Sequence, residues 1–252
     1  MTAVSIAGVT KVFNQGRPDE VTALSDVDLT VDSGQFVSLI GPSGCGKSTL
    51  LRLIADLIAP SSGTVTVAGK PAGQARRDQE YGIAFQQAGL FEWRTVRRNV
   101  ELPLELRRIP RQRRRERAEE MLALVGLAEF GGHYPAQLSG GMQQRVAIAR
   151  ALAVHPNLLL MDEPFGALDE MTRERLQTEL LQICATTGTS TVFVTHSISE
   201  AVFLSDKVVV MSARPGRITT TIDVNFERRD EATRQSAEYF EVVTAVRKAL
   251  RS

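Results

Sequence analysis

Gly41-Pro42-Ser43-Gly44-Cys45-Gly46-Lys47-Ser48 lies directly after the apolar run 36–40 and directly before the helix-period stretch 49–54. Glycine, four residues, then Gly-Lys-Ser, set between strand and helix, is the pattern and context of a phosphate-binding loop. Its glycines let the backbone curl until successive N–H groups point inward, and the following helix adds its positive end. On this reading Lys47 supplies a point charge to the β and γ phosphates and Ser48 offers a hydroxyl to Mg²⁺, with Thr49 opening the helix. Cys45 sits at that helix start, which predicts a thiol that is reactive until nucleotide covers it, with Cys184 as the reference thiol outside the motif.

Outward from the loop, residues 158–161, 191–195 and 208–211 are further bounded apolar runs of strand length. They alternate with helix-period stretches, the order of βαβ units and a largely parallel, buried sheet. Residues 4–6 and 26–31 instead alternate polar and apolar around Gly16-Arg17-Pro18-Asp19, which predicts an antiparallel start. Strand signals stop between residues 94 and 126, where Met121, Leu122, Leu124 and Val125 keep helical spacing, so a helical subdomain over about 90–155 is expected. A short C-terminal helix over about 230–250 places Tyr239, Val243, Val246 and Leu250 on one face.

The 252 residues carry 30 Lys plus Arg against 29 Asp plus Glu, so any electrostatic partner site must be local. No apolar run reaches the roughly 18 residues of a membrane span, residues 1–9 lack the plan of a signal peptide, and two cysteines fit no disulfide or zinc framework.

Asp162 and Glu163 follow the run 158–161. Carboxylates at the carboxyl end of a buried strand stand where open α/β sheets place ligands. Asp162 is the expected Mg²⁺ partner of Ser48, and Glu163 the base that orients and deprotonates an attacking water.

Upstream, Leu138-Ser139-Gly140-Gly141-Met142-Gln143-Gln144-Arg145 resembles the signature sequence of the ATP-binding cassette ATPases, and it stands in that family's order between phosphate loop and acidic strand. Gln86 after Phe85 resembles the family's glutamine loop, Ala167-Leu168-Asp169 its D-loop, His196 its switch histidine and Phe13 the aromatic that stacks on adenine, although Phe13 beside Val12 also suits a core. The resemblance covers nearly the whole chain. It implies one α/β nucleotide-binding domain over residues 1–252: a P-loop NTPase core with an antiparallel β subdomain and an inserted helical subdomain. It also implies ATP and Mg²⁺, with Gln86, Ser48 and Asp162 about the metal and Lys47, Gln86, Glu163 and His196 in catalysis. Finally it implies a two-fold dimer in which Ser139, Gly140, Gly141, Gln143 and Asp169 contact ATP held by the other subunit. Ser139 is placed to cap a helix from about 141 to 154, whose exposed N–H groups suit a phosphate.

Trp93-Arg94-Thr95-Val96 and Ser212-Ala213-Arg214-Pro215-Gly216-Arg217-Ile218 resemble the ATPases of nitrate, sulfonate and taurine importers. That implies transmembrane permease subunits, a second and identical ATPase subunit, an extracytoplasmic solute-binding protein acting indirectly, no nucleic acid, and a peripheral position on the cytoplasmic face of the membrane. The rival within the family is a soluble cassette acting on nucleic acid or the ribosome. Residues 107–117 hold seven arginines and one glutamate, open to three readings: a solvated helix face, a patch beside anionic lipid, or a nucleic-acid contact. Trp93 is expected to be an exposed anchor for the permease rather than core. Asp56 stands where the family usually has glycine, which predicts left-handed backbone there.

Overall fold

The computed structural model describes residues 1–251. Two sheets stack. In the first, β1 (Thr2–Phe13) pairs antiparallel with β2 (Val21–Asp32) and with β4 (Ser62–Val67), and β5 (Lys70–Pro71) extends the edge, giving the order β2-β1-β4-β5. The second has the order β10-β9-β3-β8-β7-β6. Its strands β3 (Phe36–Ile40), β6 (Tyr81–Ala84), β7 (Leu158–Asp162), β8 (Ser190–Val194) and β9 (Lys207–Met211) are parallel, and β10 (Ile218–Asp223) pairs antiparallel with β9.

Every residue of β3, β7 and β8 is buried, which is why these stretches read as mainly apolar runs, interrupted by Ser38 in β3, Asp162 at the end of β7 and Ser190 and Thr191 at the start of β8. The two-residue period of the strand then sorts them between two cores. Val37, Leu39, Leu160, Val192, Val194 and Val209 face the antiparallel sheet and α1 (Lys47–Ile54). Phe36, Ile40, Leu159, Met161, Phe193 and Val208 face a helical layer that includes α5 (Gly140–Leu152), α6 (Glu170–Thr187) and α7 (Ile198–Leu204). A one-residue register slip would exchange the two sets, so both cores hold the same register.

Helices α3 (Val96–Leu106) and α4 (Arg111–Leu124) lie with α5 between β6 and β7 in sequence, and those two strands are neighbours in the sheet. The helical stretch is therefore an excursion from one edge of the parallel sheet. Thr95 caps α3 by accepting from Arg98 N, and Pro110 precedes α4, where a missing N–H costs nothing. Val96, Val100, Met121, Leu122, Val146 and Ile148 join the three helices to the main core.

Some elements escaped the sequence reading. β4, β5, β6, β10 and α2 (Ala72–Arg77) are short or half exposed, so their pairing partners rather than their own composition define them. The C-terminal stretch is two helices, α8 (Glu231–Arg234) and α9 (Ala237–Ala249), because the Ser236 side chain accepts from Tyr239 N and restarts the helix. Asp56 adopts φ 49°, as expected, and its carboxylate accepts from Arg76 Nε at 3.0 Å.

Candidate functional site

Parallel pairing in register brings four strand ends to one edge: Ala84 stands opposite Met161, and Asp162 opposite Val194. The loops after β3, β6, β7 and β8 must then converge, as carboxyl ends do in open α/β sheets. They line a cleft of about 380 Å³ that includes residues 43–49, Phe13, Gln86, Glu163, His196 and Arg214. A second hollow of about 410 Å³ shares Ser48 and Gln86 with it and is lined also by Asp162.

The loop's shape follows from its glycines. Gly44 and Gly46 have φ 74° and 101°, and a Cβ on Gly46 would come within 2.6 Å of Leu24 Cδ2. Lys47 is 5% exposed, and its ammonium donates to Gly41 O at 2.8 Å and Pro42 O at 3.0 Å, spanning the loop's own mouth. Ser48 Oγ donates to Asp162 Oδ1 at 2.8 Å. That places a hydroxyl and a carboxylate together as a hard oxygen pair of the kind Mg²⁺ prefers.

Beyond the loop, Glu163 has φ 49° and is pinned by its N–H to Val194 O at 2.9 Å. This unusual backbone turns its carboxylate toward the cleft. There His196 Nε2 lies 2.5 Å from Oε1, and Gln86 Nε2 donates to Oε2 at 3.2 Å. An imidazole and an amide from two strand ends thus share the carboxylate carried by a third. Phe13 keeps 37% of its surface open at the rim, with Lys11 Nζ 5.0 Å from the ring centroid.

The other expected group stands apart. Ser139 caps α5 by accepting from Met142 N at 3.3 Å, and no acceptor within the described residues meets the Gly140 or Gly141 N–H. A Cβ on Gly140 would meet nothing within 4 Å, so the chain's own packing does not demand that glycine. One on Gly141 would come 3.0 Å from Ala167 O, which packs the start of α5 against the turn before α6. Asp169 caps α6 by accepting from Thr172 N at 3.0 Å, and Gln143 is folded back onto Pro135 O and Leu138 O. None of Ser139, Gly140, Gly141, Gln143 and Asp169 lines the phosphate cleft of its own chain.

One expectation fails. Cys45 is fully buried, its sulfur turned inward beside Gly41 and 3.7 Å from Lys47 Nζ, so it is shielded from reagents even with the cleft open. Cys184 is buried too, and burial pushes its thiol pKa up, so it makes no exposed reference.

Sequence reasoning missed Glu200, Arg173 and Arg214. Glu200 is 8% exposed and burial raises its pKa. It accepts from Thr195 Oγ1 at 2.5 Å and from Gln177 Nε2 at 3.4 Å, and lies 3.6 Å from Arg173 Nε. Arg173 in turn donates to Leu168 O at 2.8 Å, so this cluster ties the residue before His196 to the turn before Asp169. The visible signal, Ser197-x-x-Glu200, reads as a helix cap. Ser197 does accept from Glu200 N, but the glutamate side chain turns inward. Arg214 Nη2 donates to Gly44 O at 3.4 Å.

Gly216 carries this last loop against the phosphate loop, where a Cβ would overlap the Cys45 carbonyl oxygen. Gly216→Ala should therefore lower stability by about 1–3 kcal/mol through overpacking and weaken nucleotide binding with it. Thermal unfolding and ATP titration read both effects, and an unchanged midpoint would contradict the packing described.

The sequence signature of the ABC transporter family matches residues 24–166, more than half of the chain. An uncharacterized ABC transporter ATP-binding protein of Methanocaldococcus jannaschii is 48% identical over 94% of this chain and 88% of its own. The taurine import ATP-binding protein of Yersinia pestis is 49% identical over 85% and 82%, and the nitrate import ATP-binding protein of a Synechocystis species 45% over 94% and 87%. The dimeric structure of MJ0796, a bacterial ABC transporter cassette, superimposes with a TM-score of 0.82 at 36% identity, covering 88% of this chain and 99% of that one. This chain belongs to the ABC transporter family, as an ATP-binding subunit with ATPase activity.

Proposed function

We propose that two copies of this chain enclose ATP and Mg²⁺ and hydrolyse the ATP to power import of a small sulfonate or oxyanion through a separate permease, at the cytoplasmic face of the membrane. One observation carries the reading: the Ser48–Asp162 pair and the Glu163–His196–Gln86 cluster meet around a formed phosphate loop.

Residues 41–46 cradle the phosphates with their N–H groups, and Phe13 offers a face to the base. On nucleotide entry Lys47 exchanges the carbonyls of Gly41 and Pro42 for phosphate oxygens. Ser48, Asp162 and Gln86 would hold the Mg²⁺, which when bound would neutralise charge developing on the phosphates. Glu163 orients a water and takes its proton as the water oxygen bonds to the γ-phosphorus, leaving ADP, inorganic phosphate and a proton on the carboxylate. His196 releases Glu163 and turns to the γ-phosphate. The N–H groups of Gly140 and Gly141, which their own chain leaves without an acceptor, complete the site from the second copy together with Ser139, Gln143 and Asp169.

No helix among the described residues is long and apolar enough to cross a membrane. On this reading the permease is a separate chain, fed by an extracytoplasmic solute-binding protein. The relatives named for taurine and nitrate import support the solute class. Proteoliposomes holding this subunit and its permease should hydrolyse ATP faster when taurine, another sulfonate or nitrate is offered with its binding protein. Stimulation by nucleic acid or ribosomes, with none by any solute, would overturn the reading.

Trp93, 75% exposed and packed at a tilt against Phe91 with ring centroids 4.9 Å apart, is available as an anchor. Trp93→Ala should leave the fold and ATP affinity intact while permease-stimulated ATPase and uptake fall together by about tenfold, the scale of a modest hot spot. Normal uptake, or an unfolded variant, would assign it no such role.

A further inference from the structure

Six residues, Ser212-Ala213-Arg214-Pro215-Gly216-Arg217, join β9 to β10, and contacts fasten them on three sides. Within the loop, Ser212 N donates to Arg217 O at 2.9 Å, and Ser212 Oγ accepts from Arg217 N at 3.0 Å. Toward β2, Gly216 N donates to Ala23 O at 2.9 Å, its carbonyl accepts from Ser25 N at 3.1 Å, and Arg217 Nη2 donates to Ser25 Oγ at 3.0 Å. Toward the phosphate loop, Gly216 lies against the Cys45 carbonyl with no room for a Cβ. A side chain on so fixed a base is held in place for whatever it meets. Arg214 is the residue of this loop that lines the phosphate cleft. Its guanidinium makes no ion pair among the described residues, and Nη2 donates to Gly44 O at 3.4 Å, near the outer limit of a hydrogen bond. The other fixed cation of the cleft, Lys47, is already engaged with Gly41 O and Pro42 O. A cation without a counter-charge at the wall of a phosphate cleft suits an anion.

Strand order tells which part of the anion it meets. β9 and β8 flank β3 on opposite sides, and β7 and β6 lie beyond β8. The phosphate loop follows β3, so Arg214 stands on one side of it, while His196, Glu163 and Gln86, which follow β8, β7 and β6, stand on the other. Arg214 shares its side with the wall offered to the base: Phe13 pairs with Val21, and Ala23, two residues on, holds Gly216. A triphosphate stretched from that wall to the hydrolytic cluster passes Arg214 with its inner phosphates and reaches the cluster with its last.

We propose that Arg214 is a nucleotide-binding residue, whose guanidinium grips the α- and β-phosphates from the side of the phosphate loop opposite Glu163. The inference rests on the reading that this cleft holds ATP, and adds a second cation to it. A planar guanidinium can meet two phosphate oxygens at once, so the long bond to Gly44 O gives way to stronger, charge-assisted ones. Lys47 serves the outer phosphates, and Arg214 serves the inner pair. ADP keeps that pair, so Arg214 holds product as firmly as substrate. Binding of this uniform kind adds affinity without favouring the transition state, and it sets how tightly ADP is retained after hydrolysis.

The test titrates Mg-ADP and Mg-ATP into the full-length chain by calorimetry, with Glu163→Gln present throughout so that ATP is not consumed. Adding Arg214→Gln should weaken both nucleotides by a similar factor, about tenfold, the scale of one charged contact at an exposed site. Arg214→Lys should recover part of the loss, because the charge survives without the fork. Added salt should weaken the Arg214→Gln complexes less steeply than those that keep Arg214. The unfolding midpoint of the empty chain should not move, since Arg214 is exposed and its one bond is long. Weaker ATP with unchanged ADP would put the contact on the γ-phosphate and overturn the proposal. Unchanged affinity for both would overturn it too, as would a lowered midpoint with no recovery by Arg214→Lys, which makes the residue a prop of the loop. If the chain with Arg214 in place binds neither nucleotide, the reading of the cleft fails, and the role of Arg214 with it.

Discussion

Glu163→Gln should reduce steady-state ATP turnover at least about a hundredfold, some 2.7 kcal/mol or more of lost transition-state stabilisation, while ATP still binds. The amide keeps the side chain's shape and can still meet His196 and Gln86, which now hold the carboxylate at 2.5 Å and 3.2 Å. It cannot take a proton from water. Binding should be nearly unchanged because Lys47, the loop amides and the Ser48–Asp162 pair are untouched. Released phosphate and nucleotide affinity, measured on the same preparation, separate the two effects. Retained multiple turnover would move the base elsewhere in the cleft.

Lys47→Ala should fail one step earlier. Hydrogen bonds to charged groups contribute about 1.5–3 kcal/mol each, so losing one ammonium contact weakens ATP affinity by about tenfold to somewhat over a hundredfold. Lys47 also holds Gly41 O and Pro42 O, so the variant leaves two carbonyls of the empty loop unmet, and a lower unfolding midpoint should accompany the loss. Calorimetric titration with ATP reads the affinity. Unchanged affinity would remove Lys47 from the phosphate site.

How far the sequence alone reaches depends on where the deciding contacts lie. Residues 36–40 and 158–161 announce strands because β3 and β7 are covered on both faces, and burial leaves a mainly apolar run, interrupted only by Ser38. Ile218-Thr219-Thr220-Thr221-Ile222-Asp223 gives no comparable sign, since it becomes β10 only by pairing with β9 at a half-exposed edge. The same division runs through the site. The phosphate loop, Asp162, Glu163, Gln86 and His196 are legible because the spacing of short motifs carries them. Glu200 and Arg173 are not, because their meaning arises where α6, α7 and the strand end before His196 meet. Cys45 misleads for a related reason: position in the loop is written in the sequence, but the direction of its sulfur is set by contacts with Gly41 and the loop's own turn. The group about Ser139 is legible as a motif and yet lies outside its own chain's cleft, which is what a site completed by a second copy requires.

That completion is the center of the account, and the mass of Glu163→Gln in solution tests it most directly. Light scattering on the purified variant, with saturating ATP and then with ADP, weighs the particle while hydrolysis is stalled. The account predicts twice the mass of one chain with ATP and a single chain's mass with ADP, with Ser139→Arg abolishing the doubling. A particle that binds ATP fully and keeps the mass of one chain would contradict it.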